Sequence, residues 1–72
     1  MGYSRGDLWK ALAGILGAEV FSAMKAEGST RPEMCREAAL KAFVEGLEGD
    51  SVQIIRAAIL DLNTHAEFRF SD

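Results

Sequence analysis

A long, nearly unbroken apolar stretch at residues 8–24 constrains this sequence more than any other feature, and it contains the only tryptophan. On a helix of about 3.6 residues per turn, seven of its apolar residues fall on one broad side. They are Leu8, Trp9, Leu12, Ile15, Leu16, Val20 and Ala23. We therefore predict a central helix over residues 7–27, preceded by an N-terminal cap in which the Ser4 hydroxyl accepts from the first free amides and Asp7 lies near the positive helix end. Gly28 should end this helix, because glycine suits the left-handed position just beyond a helix end.

The other side of this predicted helix carries small residues and one aromatic residue. Gly14 and Ala18 would let another backbone approach closely, and Phe21 would otherwise lie in water. Gly14 and Gly17 each make a helix interior roughly 1 kcal/mol less favourable than alanine does, so close packing has to offset them. We expect Trp9, Gly14, Ala18 and Phe21 to lie at a contact with a partner.

A second helix is predicted over residues 32–48. Thr30 is placed to cap it, Pro32 suits its first turn, and Glu33 is placed to return a hydrogen bond to the cap. Its acidic side contrasts with an apolar side that amphipathicity assigns to the core. That apolar side consists of Ala39, Leu40, Phe43, Val44 and Leu47.

A third helix is predicted over residues 51–64, followed by an extended tail at 66–72. Leu60 interrupts the polar side of this helix, which favours a shared interface there. In the tail, Phe68 and Phe70 alternate with polar residues, as in a strand with one buried face. Since an isolated strand cannot satisfy its backbone, we expect the tail to pair with another chain or to lie in a groove.

Length and composition favour association. The chain has 72 residues, of which 49% are hydrophobic, whereas a domain of this size buries only about 60% of the surface its unfolded chain exposes. The sequence therefore predicts a single all-α domain, 1–72, of three helices with an aromatic tail, whose surplus apolar surface is covered in a homodimer or by another protein.

Charge and cysteine content narrow the possible partners. Eight basic and eleven acidic residues give a net charge of −3, and no basic cluster favours nucleic acid. One cysteine excludes an intrachain disulfide.

The central stretch contains Lys10 and Glu19 and is too short for a membrane span, and no signal peptide is recognisable. We expect a cytoplasmic protein.

Glu19, His65 and Cys35 are the residues considered for catalytic or metal-binding chemistry. Glu19, if held on the apolar side of the central helix, would suit acid–base or metal chemistry with His65 across subunits, although the edge of a packed face or an arginine partner explains it more simply. Cys35 near a helix start is either a reactive thiol or a small buried residue. We assign no catalytic, cofactor or metal residue.

A faint helix-turn-helix pattern covers residues 42–56, but Glu45, Glu48 and Asp50 would approach the phosphates of DNA. The sequence thus favours a non-enzymatic protein–protein interaction module of the adaptor or inhibitor type. The alternatives are a small helix-turn-helix regulator and a helical dimer that uses Glu19 and His65.

Overall fold

The structure, a computed structural model, describes residues 3–28 and 30–65, with the side chain of His65 outside that description. The predicted tail with Phe68 and Phe70 lies outside the described residues. Four helices account for the regular secondary structure described: α1 (Arg5–Leu16), α2 (Ala18–Glu27), α3 (Pro32–Glu45) and α4 (Asp50–His65). The all-α class is therefore confirmed.

The single helix predicted over residues 7–27 is two helices, so the predicted count of three was wrong. Gly17 separates α1 from α2 with φ 116° and ψ 154°, a conformation that residues with a Cβ rarely adopt. Its N–H donates to the Ala13 carbonyl at 2.9 Å, and its carbonyl accepts from the N–H of Val20 at 3.1 Å. A Cβ at position 17 would lie 2.7 Å from a carboxylate oxygen of Glu19. Gly17 therefore breaks the helix.

The outer ends of these two helices agree with the local signals in the sequence. The Ser4 hydroxyl accepts from the N–H of Asp7 at 3.1 Å, and the Asp7 carboxylate accepts from the N–H of Ser4 at 3.0 Å. This reciprocal pair is a capping box. Gly28, at φ 73°, ends α2 and donates to the Met24 carbonyl at 2.8 Å.

The end predicted for the second helix was too late, because α3 stops at Glu45. Gly46 takes the left-handed conformation, at φ 69°. Its N–H donates to the Phe43 carbonyl at 3.3 Å, and the N–H of Leu47 donates to the Ala42 carbonyl at 2.8 Å. This pair of bonds is a Schellman motif, so Gly46 rather than Gly49 ends the helix.

The start of α3 also differs from the prediction. Arg31 is the N-cap residue and no side chain caps the helix, although Pro32 lies in the first turn as predicted. The Thr30 hydroxyl instead accepts a hydrogen bond from the Trp9 indole N–H at 2.6 Å. Thr30 therefore links the start of α3 to α1.

The core is organised around α1, which packs against α2, α3 and α4, while α3 also packs against α4. The buried positions predicted on α1, Leu8, Leu12 and Ile15, are confirmed. The other buried apolar residues are Tyr3, Ala11, Met24, Cys35, Ala38, Ala42, Val52, Ile55 and Ala58.

One buried polar contact joins the start of the described chain to the last helix. The Tyr3 hydroxyl donates to a carboxylate oxygen of Asp61 at 2.7 Å, and both side chains are buried. Burial, reinforced by the hydrogen bond to Asp61, raises the pKa of Tyr3 well above its usual range. The phenol therefore stays protonated and fastens the chain start to α4.

Candidate interaction surface

The side of α3 that faces the core is made of small residues. Cys35 and Ala38 are fully buried and Ala42 is 3% exposed, and such small side chains let α1 and α4 approach closely. The bulkier apolar side of α3, which the sequence assigned to the core, faces outward instead. Both sides of the helix are apolar, so hydrophobicity alone did not distinguish them.

Four large apolar side chains form the outward surface, which we call the α3 face: Leu40, Phe43, Val44 and Leu47. They are 63%, 80%, 73% and 37% exposed, respectively. The first three lie on one side of α3, and Leu47 lies in the turn that follows it. Their exposed area amounts to roughly 500 Å², near the upper end of the ~300–600 Å² expected for the largest apolar patch of a monomer.

A contact between helices helps to set which side of α3 points outward. The Lys41 ammonium donates to the Ile15 carbonyl at 2.8 Å. This carbonyl lies in the last turn of α1, where free carbonyls and the helix dipole both attract a cation. The bond anchors one flank of α3 on α1 and thereby favours an orientation in which Leu40 and Val44 face outward.

Charged residues of both signs surround the α3 face. Arg36 lies one turn before Leu40, and Lys41 and Glu45 lie one turn apart on one flank. Asp50, at the start of α4, follows the turn beyond α3. All four charged side chains belong to exposed residues. An apolar centre with a charged rim is the general anatomy of a protein–protein interface.

The interface predicted from the sequence lies on other helices. Gly14 and Ala18 are exposed, whereas Trp9 and Phe21 are half-buried. Their rings meet edge to face, with centroids 6.0 Å apart and planes at 85°. These two aromatic side chains therefore cover each other across the junction of α1 and α2. A partner contact at Trp9, Gly14, Ala18 and Phe21 stays a prediction.

Leu60 is exposed, at 62%, as the pattern of α4 indicated. Its neighbours on the outer side of α4 are the polar residues Gln53, Arg56 and Asn63. A single apolar side chain in a polar surround is ordinary for a protein surface. The α3 face, with several large apolar side chains together, is the larger apolar surface.

The hypothesis of an acid–base site at Glu19 required apolar residues to enclose that side chain. Glu19 is exposed in the first turn of α2 instead of being enclosed by the apolar residues of α1. His65, the other member of the hypothetical pair, has no described side chain. Among residues 3–28 and 30–65, no group of three or more His, Cys, Asp or Glu side chains is placed to hold a metal ion.

Cys35 is buried as a free thiol. Burial raises its pKa to about 11, and the nearby Arg36 lowers it only partly. Because the thiolate is the reactive form, this cysteine is poorly suited to nucleophilic chemistry at neutral pH. The buried apolar role is the one the structure supports.

The helix-turn-helix segment has part of the expected packing. Ala42, Val52 and Ile55 are buried around the connection at 46–49. Glu48, within that connection, and Asp50, directly after it, are both exposed, and their charge opposes contact with phosphates.

No helix in the described part of the chain is long and apolar enough to cross a membrane. Comparisons with known protein families, with curated proteins and with solved structures gave no match. The interpretation of the α3 face therefore starts from its own geometry.

Proposed function

We propose that this protein is a non-enzymatic protein–protein interaction module that acts by occupying a partner surface with its α3 face. The observation that carries the proposal is the exposure of Leu40, Phe43 and Val44 on one side of one helix. Small residues on the opposite side satisfy the core, so these large side chains are surplus to folding. The largest apolar patch of a monomer is often a functional surface.

The expected strength of the interaction follows from the area. At about 25 cal/mol per Å², full coverage of roughly 500 Å² contributes on the order of 10 kcal/mol before costs. Association itself costs an estimated ~4–15 kcal/mol. The balance favours reversible binding, as expected of an adaptor or inhibitor.

The chemistry of the other surfaces supports this choice over the alternatives. The acidic residues Glu45, Glu48 and Asp50 near the connection of α3 and α4 weaken the case for a helix-turn-helix regulator.

We also propose a cytoplasmic location. The buried free thiol of Cys35 suits a reducing compartment.

The test is photo-crosslinking in the cells that make the protein. A photoreactive phenylalanine derivative replaces Phe43 in one variant and Leu60 in a matched control. Leu60 is similarly exposed but lies among polar residues on another helix. We expect adducts of defined mass from position 43 that position 60 does not give.

The same experiment separates the α3 face from the interface predicted by sequence. Adducts from position 60 and none from position 43 would transfer the interaction to α4. The absence of specific adducts at position 43, with the variant folded and expressed, would refute the proposed function.

A further inference from the structure

We infer that α2 is a detachable cover on α1: it can leave α1 as a unit, turning about Gly17, while α1, α3 and α4 stay packed together. The inference goes beyond the proposed function, because it concerns other helices and holds whether or not the α3 face binds a partner. In the detached form, the side of α1 that carries Trp9 becomes accessible to solvent.

The packing of the helices separates α2 from the other three. Helices α1, α3 and α4 each lie against the other two and so form a closed three-helix core. Among the helices that the structure describes, the backbone of α2 comes close to α1 alone. Detachment of α2 therefore leaves the contacts between the three core helices in place.

Few side chains hold α2 in position. Met24 is the one buried residue of the ten in α2, whereas α1 buries four of its twelve. Val20, Phe21 and Ala23 are half-buried, and the remaining residues of α2 are exposed. A helix with so few buried apolar contacts belongs to the low-stability end of a fold, where segments open without global unfolding.

Trp9 makes two contacts that fasten α2 and the connection after it to α1. Its ring meets that of Phe21 edge to face, with centroids 6.0 Å apart, and its indole N–H donates to the Thr30 hydroxyl at 2.6 Å. The ion pair between Glu27 and Arg31 joins neighbouring turns of the chain and is exposed to solvent, so it adds little. Because Trp9 is the only tryptophan, its fluorescence reports the opening.

Gly17 forms the hinge at the start of α2. Its φ of 116° and ψ of 154° suit glycine, and a Cβ there would lie 2.7 Å from a carboxylate oxygen of Glu19. Both constraints belong to the closed form, because detachment releases the junction from this conformation. Gly28, with φ 73°, follows the other end of α2. The helix thus lies between two positions where the backbone can turn, as in other hinged segments.

Native-state hydrogen exchange of the full chain in low urea tests the inference. The amides of α2 should share one opening whose equilibrium constant is at least about tenfold larger than that of the most protected amides of α1, α3 and α4. This opening should depend less on urea than global unfolding does, because it exposes less surface. Equal constants in all four helices, or α2 amides without any protection, would refute the inference.

A substitution in the three-helix core separates local opening from global unfolding. Ile55 is 1% exposed and belongs to α4, which does not approach α2. Ile55→Val should accelerate exchange of the most protected amides of α1, α3 and α4 by about two- to tenfold, as the loss of one buried methyl group implies. Exchange in α2 should stay unchanged. Equal acceleration in α2 would show that it opens only when the whole chain unfolds.

Gly17→Ala tests the hinge, with Gly14→Ala as the matched control. Alanine at position 17 strains the closed form alone, so α2 exchange should accelerate by about tenfold or more, and acrylamide should quench Trp9 more strongly. A Cβ at position 14 would meet only the Ser51 hydroxyl, at an ordinary 3.8 Å. Gly14→Ala should therefore leave α2 exchange within about threefold of wild type. An unchanged α2 in Gly17→Ala, or an equal acceleration in Gly14→Ala, would refute detachment about Gly17.

Discussion

Helices α1 and α3 are both apolar on more than one side, yet they bury different kinds of side chain. On α1, Leu8 and Leu12 are fully buried because three helices surround it. On α3, the buried side consists of Cys35, Ala38 and Ala42, while the larger side chains face outward. The number of neighbours around a helix, and the volume available between them, therefore decide which apolar side is covered.

The largest expected change in the free energy of unfolding comes from a substitution in the core side of α1. Leu12→Ala removes a fully buried side chain and leaves a cavity, so the free energy of unfolding should fall by about 3 kcal/mol. Urea unfolding followed by circular dichroism measures the change. A loss below about 1 kcal/mol would mean that α1 is less enclosed than its burial indicates.

The side of α3 that carries small residues should not tolerate a larger side chain. Ala38→Leu adds hydrophobic volume at a position with no exposure, and overpacking of this kind should lower the free energy of unfolding by about 2 kcal/mol. Ala26→Leu, at an exposed position of α2, is the matched control and should stay within about 0.5 kcal/mol of wild type. Stabilisation by Ala38→Leu would contradict close packing of α3.

The buried thiol predicts a loss of stability in alkali. Because the folded-state pKa of Cys35 is raised from 9.0 to about 11 by burial, the unfolded chain releases the thiol proton at lower pH than the folded one does. The thiol's contribution is complete below pH 9 and is lost as pH rises from 9 through 11, by roughly 1–2 kcal/mol at pH 10.5.

Urea unfolding at pH 8 and pH 10.5 tests this prediction, with Cys35→Ala as the comparison variant. The variant should lose less stability between these pH values than the wild type, although Tyr3 contributes a loss of the same sign in both. Equal losses would show that Cys35 is not responsible.

The smallest change in the free energy of unfolding is expected from a substitution in the α3 face. Leu40→Ala makes the same chemical change as Leu12→Ala, but at a side chain that is 63% exposed. In solutions too dilute for association, it should change the free energy of unfolding by less than about 0.5 kcal/mol. A cost above about 2 kcal/mol would show that another part of the same chain covers Leu40.

Signals confined to a few neighbouring residues predicted much of the fold. Ser4 and Asp7 cap α1, and Gly28 ends α2, because these contacts depend only on residues nearby in sequence. Gly17 was misread, since a glycine within an apolar run fits both close helix packing and a break. Gly49 was predicted to end the second helix, but the backbone hydrogen bonds of Gly46 and Leu47 place the end of α3 at Gly46.

The candidate site was much less predictable. The sequence named Leu60, which is exposed, but it assigned Leu40, Phe43 and Val44 to the core. The hydrogen bond between Lys41 and the Ile15 carbonyl, which helps to set the outward side of α3, joins residues far apart in the chain. No local pattern in the sequence reveals such a contact.

The sequence by itself determined the all-α class, the helix end at Gly28 and the surplus of apolar residues over what a small core needs. Tertiary structure decided that α3 turns its small residues inward and its large ones outward. The physical reason is that helix formation and capping depend on neighbours within a few residues. The rotation of a helix about its axis depends instead on how its side-chain volumes fit between helices that are distant in sequence.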